Sequence, residues 1–176
     1  MNFKRDSLAQ LFTPPKDQRG IFGWICGYAA GAGFREGALG RFSELSSHQR
    51  AYQGQVLFAL MLDPGNPQIS FGEVPGALHL PVKTATLPFA LLHAKVAMLA
   101  FGGDGRRTLR LIVSTGNWTR QTLEESLDLA WCIDVSDWEQ DARVEEVRQC
   151  RTDMAAAWDF LSSLHQHFDL RPLQWN

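Results

Sequence analysis

Two short polar segments interrupt the apolar pattern in the middle of the chain. His93 and Lys95 lie two positions apart in LLHAKVAML, residues 91–99. Asn117 follows an apolar run in RLIVSTGNW, residues 110–118. A histidine nitrogen is a nucleophile near neutral pH, whereas lysine and asparagine donate hydrogen bonds to phosphate oxygens. These three types of side chain together suit the cleavage of a phosphodiester.

A simpler interpretation of the same residues needs no substrate. His93 can be a hydrogen-bonded core histidine, Lys95 can reach solvent from an edge strand, and Asn117 can cap the following helix. An isolated His-x-Lys tripeptide occurs often by chance, which favours this interpretation. The secondary structure around the tripeptide is therefore needed to distinguish the catalytic interpretation from the structural one.

The two polar segments are predicted to belong to neighbouring strands of a hairpin joined by FGGDGRR, residues 101–107. Side chains alternate between the faces of a strand, so His93 and Lys95 point the same way. Pairing Phe101 with Thr108 fixes an antiparallel register. In this register His93 lies opposite Gly116, Lys95 lies opposite Ser114, and Asn117 falls beside His93. Such a polar cluster is costly to bury unless something pairs with it.

The remaining elements predict an α/β domain, with a mixed β-sheet flanked by helices. Apolar runs bounded by turn residues suit interior strands, whereas apolar residues at helical spacing predict helices. Pro81 weakens one strand prediction, and SSHQRAYQG at 46–54 reads as a polar break. The other predicted strands are IFGWICGYAA at 21–30, QVLFALML at 55–62, GALHLPVK at 76–83 and LDLAWCIDV at 127–135, and the predicted helices are FREGALGRFSEL at 34–45 and one or two between Asp137 and about Phe168.

Composition limits the classes of protein that fit. A chain of 176 residues with 45% hydrophobic and 20% charged residues should fold as one globular domain. With a formal charge of −2, any contact with nucleic acid has to be local. The three cysteines, Cys26, Cys132 and Cys150, have no metal-ligand spacing and suggest a reducing, cytoplasmic setting. No apolar run approaches the roughly 18 residues of a membrane span, so we expect no membrane insertion.

Two glycine-rich segments could bind ligands of their own. GAGFREG at 31–37 is spaced G-x-G-x-x-x-G, and Asp63 lies 32 positions beyond Gly31 (63 − 31). A dinucleotide-binding turn has its acidic residue about 20 positions on, so we expect no cofactor. The loop GGDGRR at 102–107 could present two arginines to a nucleic-acid backbone, although a flexible hairpin loop is the simpler interpretation.

The order of the motifs changes the balance between the two interpretations of His93. His-x-Lys, an apolar strand, a turn, a second apolar strand, small residues and Asn resemble a half-site of the phospholipase D superfamily, whose pattern is H-x-K-x(4)-D followed by G-S-x-N. Here Ala100 replaces the aspartate and STGN replaces GSxN. These departures resemble the tyrosyl-DNA phosphodiesterase branch, and the resemblance covers roughly residues 88–135.

This resemblance implies a role for each polar residue. His93 is expected to attack phosphorus and form a phosphohistidine, while Lys95 and Asn117 bind phosphate oxygens and stabilise the transition state. Asp128 is expected to orient the histidine. Ser114 and Thr115 are expected to lie next to the phosphate. The implied substrates are phosphodiesters in nucleic acid or DNA adducts.

The mechanism of the superfamily needs a second half-site with a second histidine. None of the other histidines begins a His-x-Lys: His48, His79, His165 and His167 are followed two positions later by Arg50, Pro81, His167 and Asp169. Either two copies meet as a homodimer, or residues 1–176 are the N-terminal half of a longer protein, which is the alternative that we favour. A catalytically inactive domain used for binding or assembly is the other class of function.

Overall fold

A computed structural model shows a six-stranded mixed β-sheet flanked by helices. It describes residues 7–66, 70–83, 87–124, 128–137 and 145–175. The elements are a 3-10 helix Leu8–Phe12, β1 Arg19–Gly27, α1 Ala32–Ser43, α2 Ser47–Gln53, β2 Phe58–Leu62, β3 Ala77–His79, β4 Val96–Gly103, β5 Arg106–Ser114, α3 Arg120–Glu124, β6 Ala130–Ser136, α4 Glu145–His165 and a 3-10 helix Arg171–Trp175. The predicted α/β architecture is confirmed.

The strands lie in the order β3-β2-β1-β4-β5-β6. Strands β1, β2 and β3 are parallel, and the pairs β1 with β4, β4 with β5, and β5 with β6 are antiparallel. The carboxyl ends of β1, β2, β3 and β5 therefore meet the amino ends of β4 and β6 at one edge, which we call the carboxyl edge. Ligand sites in open α/β sheets prefer such an edge.

Each face of the sheet carries its own hydrophobic cluster. On one face α1 contributes Phe34, Ala38 and Phe42, which recur every four residues and are fully buried. On the other face α4 contributes Met154 and Leu161. Because both faces are covered, the interior strands are apolar on both sides, and β2 is buried along its whole length.

The predicted hairpin is confirmed, with Phe101 paired to Thr108 as expected. The strands extend further than expected, because only Asp104 and Gly105 connect them, at φ angles of 49° and 75°. Two successive positive φ angles are typical of the tight turns that match strand twist. The connection predicted over 101–107 is therefore too long, and the flexible hairpin loop expected at 102–107 is reduced to Asp104 and Gly105.

The predicted strand over 91–99 is wrong at its amino end, since β4 begins at Val96. The polar break at 46–54 is also wrong, since it contains α2. There the Ser46 side chain accepts the Gln49 N–H while the Gln49 side chain accepts the Ser46 N–H, a capping box that was readable from the sequence.

The other predicted elements agree with the structure in type and differ in extent. Strand β3 is a short edge strand that ends before Pro81, as a proline that cannot donate to the ladder requires. The long carboxy-terminal helix is α4, and residues 138–144 of that prediction lie outside the described residues. Within the described ranges, none of the helices has the length and apolarity needed to cross a membrane.

Trp118 joins the segment after β5 to the segment after β1. It is fully buried, and its Nε1 donates to the Cys26 carbonyl oxygen at 2.8 Å. Its backbone N–H donates to Ala29 and its carbonyl accepts from Gly31. Gly27 has to lack a side chain, because a Cβ there would lie 2.8 Å from the indole ring.

We expect Trp118→Ala to lower the free energy of unfolding by about 3 to 5 kcal/mol, because it leaves a large cavity. Urea denaturation measures the loss. Trp131→Ala is the matched control, since Trp131 is 42% exposed and its truncation should cost less than about 1.5 kcal/mol. Equal losses in the two variants would contradict this account of Trp118.

Candidate functional site

The two polar segments come together at the carboxyl edge of the sheet. Residues 91–95 lead into β4, and Thr115 to Asn117 leave β5. The Ser114 N–H donates to the Lys95 carbonyl oxygen at 3.0 Å, one step beyond the end of β4. The predicted pairing of Lys95 with Ser114 is therefore present, although Lys95 lies outside the strand.

Lys95 is buried, with 6% of its surface exposed, whereas His93 is exposed. The Lys95 Nζ lies 3.0 Å from Nδ1 and 2.9 Å from Nε2 of His93. The in-plane directions of the two ring nitrogens diverge, so the ammonium nitrogen cannot lie along both of them. In a neutral imidazole one ring nitrogen carries a proton and the other has the lone pair. Lys95 cannot be a solvent-reaching side chain on an edge strand, because β4 is an interior strand.

Burial lowers the pKa of Lys95, and the negative charge of Asp128 opposes this effect without cancelling it. Burial disfavours the charged form of an amine, and a neighbouring carboxylate favours it. The site therefore holds a partly desolvated cation directly behind an accessible imidazole.

Asp63 is a site residue that the sequence pattern did not assign. Its Oδ2 accepts the Leu92 N–H at 2.8 Å and its Oδ1 accepts the Gly65 N–H at 2.9 Å. Its own N–H donates to the Gly27 carbonyl oxygen at 3.0 Å. The carboxylate thus fixes the backbone next to His93. Its position at the turn after an apolar strand, in LDPG, was the only signal available.

Tyr28 is a second site residue that the sequence pattern did not assign. Its ring centroid lies 5.9 Å from that of His93, at an interplanar angle of 49°. Asn66 Nδ2 donates to the Tyr28 carbonyl oxygen at 2.7 Å and so ties the segment after β1 to the loop after β2. An aromatic ring therefore lies beside the exposed imidazole.

Asp128 contacts different partners from those that the resemblance implies. Its Oδ1 accepts from the Thr115 hydroxyl at 3.1 Å, and that hydroxyl accepts the Leu129 N–H at 3.0 Å. Within the described residues Asp128 makes no hydrogen bond with His93. A Cβ on Gly116 would lie 2.5 Å from the Asp128 Cγ, so the carboxylate packs directly against this glycine.

Ser114 and Thr115 differ in what they can offer a phosphate. The Thr115 hydroxyl donates to Asp128 and is therefore committed. The Ser114 Oγ accepts the Gly116 N–H at 3.1 Å, which leaves its proton free, but the residue is buried. Of the two predicted phosphate neighbours, Ser114 is the one with a donor to spare.

Asn117 is half-buried, and its Oδ1 is buried with no hydrogen-bond partner among the described residues. A buried amide oxygen without a partner is unfavourable by about 1 to 3 kcal/mol. Asn117 does not cap α3 through its side chain, because the Thr119 hydroxyl accepts the Thr122 N–H there. The Asn117 amide is therefore unpaired at the edge where the cluster lies.

The two glycine-rich segments offer few free groups or lie elsewhere. At the start of α1 the Gly31 N–H donates to the Trp118 carbonyl oxygen and the Arg35 guanidinium donates to the Ala30 carbonyl oxygen, so these groups of the segment at 31–37 are occupied. Arg106 and Arg107 are exposed at the opposite end of the sheet. In the described parts of the chain, no group of three or more potential metal ligands is found.

Two of the other histidines of the described residues, His79 and His165, lie away from the cluster. His79 lies on β3, and β2 and β1 separate β3 from β4. At the usual strand spacing the Cα atom of His79 is at least about 14 Å from the Cα atoms of β4. His165 packs its ring on Trp24 at 4.2 Å, on the α4 face of the sheet.

The chain is therefore an α/β protein, and its candidate site, with Lys95 and His93, lies at the carboxyl edge of the sheet. No protein-family model matches the chain, and no curated protein matches it in a sequence comparison. A proposal for its function therefore rests on the geometry of the site.

We expect Asp63→Ala to lower the free energy of unfolding by about 1 to 3 kcal/mol, because two backbone N–H groups lose their acceptor. Amide hydrogen exchange should accelerate at Leu92 and Gly65. Asp137→Ala is the control, since Asp137 accepts the Arg107 N–H at an exposed position at the other end of the sheet. An unchanged Leu92 exchange rate in Asp63→Ala would contradict the anchoring role.

Proposed function

We propose that the chain is a phosphodiesterase domain of the phospholipase D type, with His93 as its nucleophile. One observation carries the proposal: a buried Lys95 ammonium lies against the exposed imidazole of His93, 2.9 to 3.0 Å from its ring nitrogens. A buried cation without a paired anion is unfavourable, and a bound phosphate oxygen would supply the missing partner. The resemblance of HAK and STGN to the tyrosyl-DNA phosphodiesterase branch supports the same chemistry.

In the proposed reaction an imidazole nitrogen of His93 attacks phosphorus. The N–P bond forms as the P–O bond to the leaving alcohol breaks, and that oxygen takes a proton from a general acid. Water then cleaves the phosphohistidine and releases the phosphomonoester. Lys95 and the Asn117 amide donate to the non-bridging oxygens, where negative charge increases in the transition state.

The general acid has to come from a second half-site, either in a second copy or in a further part of a longer chain. The proposed substrates are phosphodiesters in nucleic acid, including adducts of DNA. The Tyr28 ring beside His93 supports a substrate with an aromatic group, because aromatic rings stack on bases.

A second candidate function is a binding or assembly domain without turnover. A cavity of about 510 Å³ on the α4 face favours it, because Phe22, Trp24, Met98 and Trp158 line it with apolar surface. Pockets of this volume hold small molecules or partner side chains. This cavity lies on the opposite face of the sheet from α1, and binding there would not involve His93.

Hydrolysis of bis(4-nitrophenyl) phosphate, measured over a range of chain concentrations, tests the first proposal. If two copies form the site, specific activity should rise with the concentration of the chain. ³¹P NMR of samples quenched with alkali should show phosphohistidine, which acid would hydrolyse. His93→Ala should lose activity by about a thousandfold or more. Lys95→Met should also lose most of it, because the phosphate loses its cation.

His48→Ala is the matched control, since His48 is exposed on α2 and should not affect turnover. If His93→Ala hydrolysed the substrate as fast as the unmodified chain does, the assignment of His93 as the nucleophile would be refuted. Absence of both turnover and phosphohistidine at every concentration, also in a longer form that carries a second half-site, would favour the binding domain.

A further inference from the structure

Strand β6 lies at the edge of the sheet, and within the described residues no strand pairs with its outer side. Of its seven residues only Ser136 is buried. An exposed edge strand presents unpaired backbone N–H and C=O groups to other chains, and proteins usually protect it with lysine, proline or a bulge. The sequence of β6, AWCIDVS, contains neither lysine nor proline, and its pairing with β5 is regular. Strand β6 is therefore an unprotected edge.

The hydrogen bonds to β5 determine which backbone groups of β6 face outward. The Thr115 N–H donates to the Leu129 carbonyl oxygen at 2.9 Å, and the Asp137 N–H donates to the Arg107 carbonyl oxygen at 3.1 Å. In an antiparallel pair, hydrogen-bonded residues alternate with residues that are not hydrogen-bonded. The odd-numbered residues of β6 therefore bond to β5. The N–H and C=O groups that point away from the sheet belong to Ala130, Cys132, Asp134 and Ser136.

The charged side chain of β6 does not protect this edge. Arg110 donates to both carboxylate oxygens of Asp134, each at 2.7 Å, so the charge is already balanced. On the opposite face, which α4 covers in part, the paired side chains of Trp131 and Val113 are 42% and 38% exposed. The edge therefore combines outward backbone groups with exposed apolar surface and carries no unbalanced charge of its own.

We propose that β6 pairs with β6 of a second copy of the chain, antiparallel and about a two-fold axis at Ile133. In this register Ala130 lies opposite the partner's Ser136, and Cys132 lies opposite the partner's Asp134. Each of these pairs exchanges two backbone hydrogen bonds, so every outward N–H and C=O group of β6 gains a partner. The register pairs all seven residues of the strand, and the two sheets become one continuous sheet.

The same register brings compatible side chains together. Ile133 lies opposite the partner's Ile133, and Trp131 lies opposite the partner's Val135. Aromatic and β-branched side chains directly opposite each other stabilise antiparallel strands, whereas like charges in such positions destabilise them. Asp134 faces an uncharged cysteine, so the register opposes no like charges. A two-fold interface requires a surface that is complementary to itself, and β6 meets this requirement in both backbone and side chains.

This dimer is distinct from an active site shared by two copies. The two-fold axis is perpendicular to the sheet and reverses the strand direction, so the carboxyl edges of the two copies lie at opposite ends of the joined sheet. The two His93 side chains do not meet, and the dimer does not supply the second histidine of the proposed phosphodiesterase. Turnover tests that function, whereas mass and cross-linking test the dimer, so that failure of one is distinguishable from failure of the other.

An intermolecular disulfide tests the register. In a chain that carries Cys132→Ala and Cys150→Ala, the further change Ile133→Cys places two thiols opposite each other, with Cα atoms about 4.5 Å apart, a distance that a disulfide can span. Mild oxidation should give a covalent dimer on a non-reducing gel. Val135→Cys in the same background is the matched control, because its two copies would lie about 14 Å apart along the strands and should not cross-link. Cys26 is buried and is kept in both variants.

Amide hydrogen exchange in the unmodified chain tests the backbone pairing without any substitution. The Trp131 and Ile133 amides bond to β5 and should be protected at every concentration of the chain. The Cys132 and Asp134 amides point outward, and their exchange should slow as the concentration rises. Over the same range, the mass measured by light scattering should increase from that of one chain towards that of two.

Trp131→Lys should raise the dissociation constant of the dimer by about tenfold or more, because it places a charge on the edge strand opposite the partner's Val135. Val113→Lys is the matched control. Val113 lies on the same face of the sheet but one strand further from the partner, so its replacement should leave the dissociation constant unchanged.

Three results would overturn the proposal. The first is a mass of one chain at every concentration, and the second is equal cross-linking of the two cysteine variants. The third is protection of the Cys132 and Asp134 amides in a monomer, because another segment of the same chain would then cover the edge.

Discussion

The candidate site depends on how the backbone of residues 91–95 is held. The Leu92 amide donates to the Asp63 carboxylate and not to a neighbouring strand, so residues 91–95 lie outside the sheet and the chain enters β4 only at Val96. At its other end the Lys95 carbonyl oxygen still accepts from Ser114. Between these two anchors the imidazole of His93 remains exposed while the side chain of Lys95 is directed inward. Both properties are needed for a nucleophile with a cation behind it.

The opposite wall of the site is held by a different interaction. Trp118 fills the core between β1, α1 and the first 3-10 helix, and its backbone bonds to Ala29 and Gly31 keep the end of β5 against the end of β1. This fixes the short segment from Ser114 to Asn117. Since Asp63 lies after β2 and Trp118 lies after β5, four neighbouring strands of the sheet position one cluster.

The balance of charge explains why the cluster suits an anionic ligand. Within the described residues the ammonium of Lys95 is buried without a bonded carboxylate. A buried cation is unfavourable in a folded protein unless it gains a partner, and an anion would supply one. This feature distinguishes the cluster from the core of the sheet, where each face is apolar.

The class of fold, the hairpin and its register follow from local features of the sequence, because hydrophobic periodicity and turn chemistry act between residues close in the chain. The pairing of Phe101 with Thr108 follows from a turn only a few residues long, and it correctly placed Lys95 opposite Ser114. The helix α2 was also determined locally, by a capping box that the polar composition concealed. The types of His93, Lys95 and Asn117 were sufficient to suggest phosphate chemistry.

The surroundings of these residues depend on contacts between distant parts of the chain, which the local sequence does not specify. Asp63 and Leu92 are 29 residues apart, and Tyr28 and His93 are 65 apart (93 − 28), so their contacts exist only because β1 lies between β2 and β4. The contact of Asp128 with Gly116 likewise requires β6 to pair with β5. Side-chain pattern within one strand carries no information about which strand lies beside it, and that neighbour supplies the partner for each polar group.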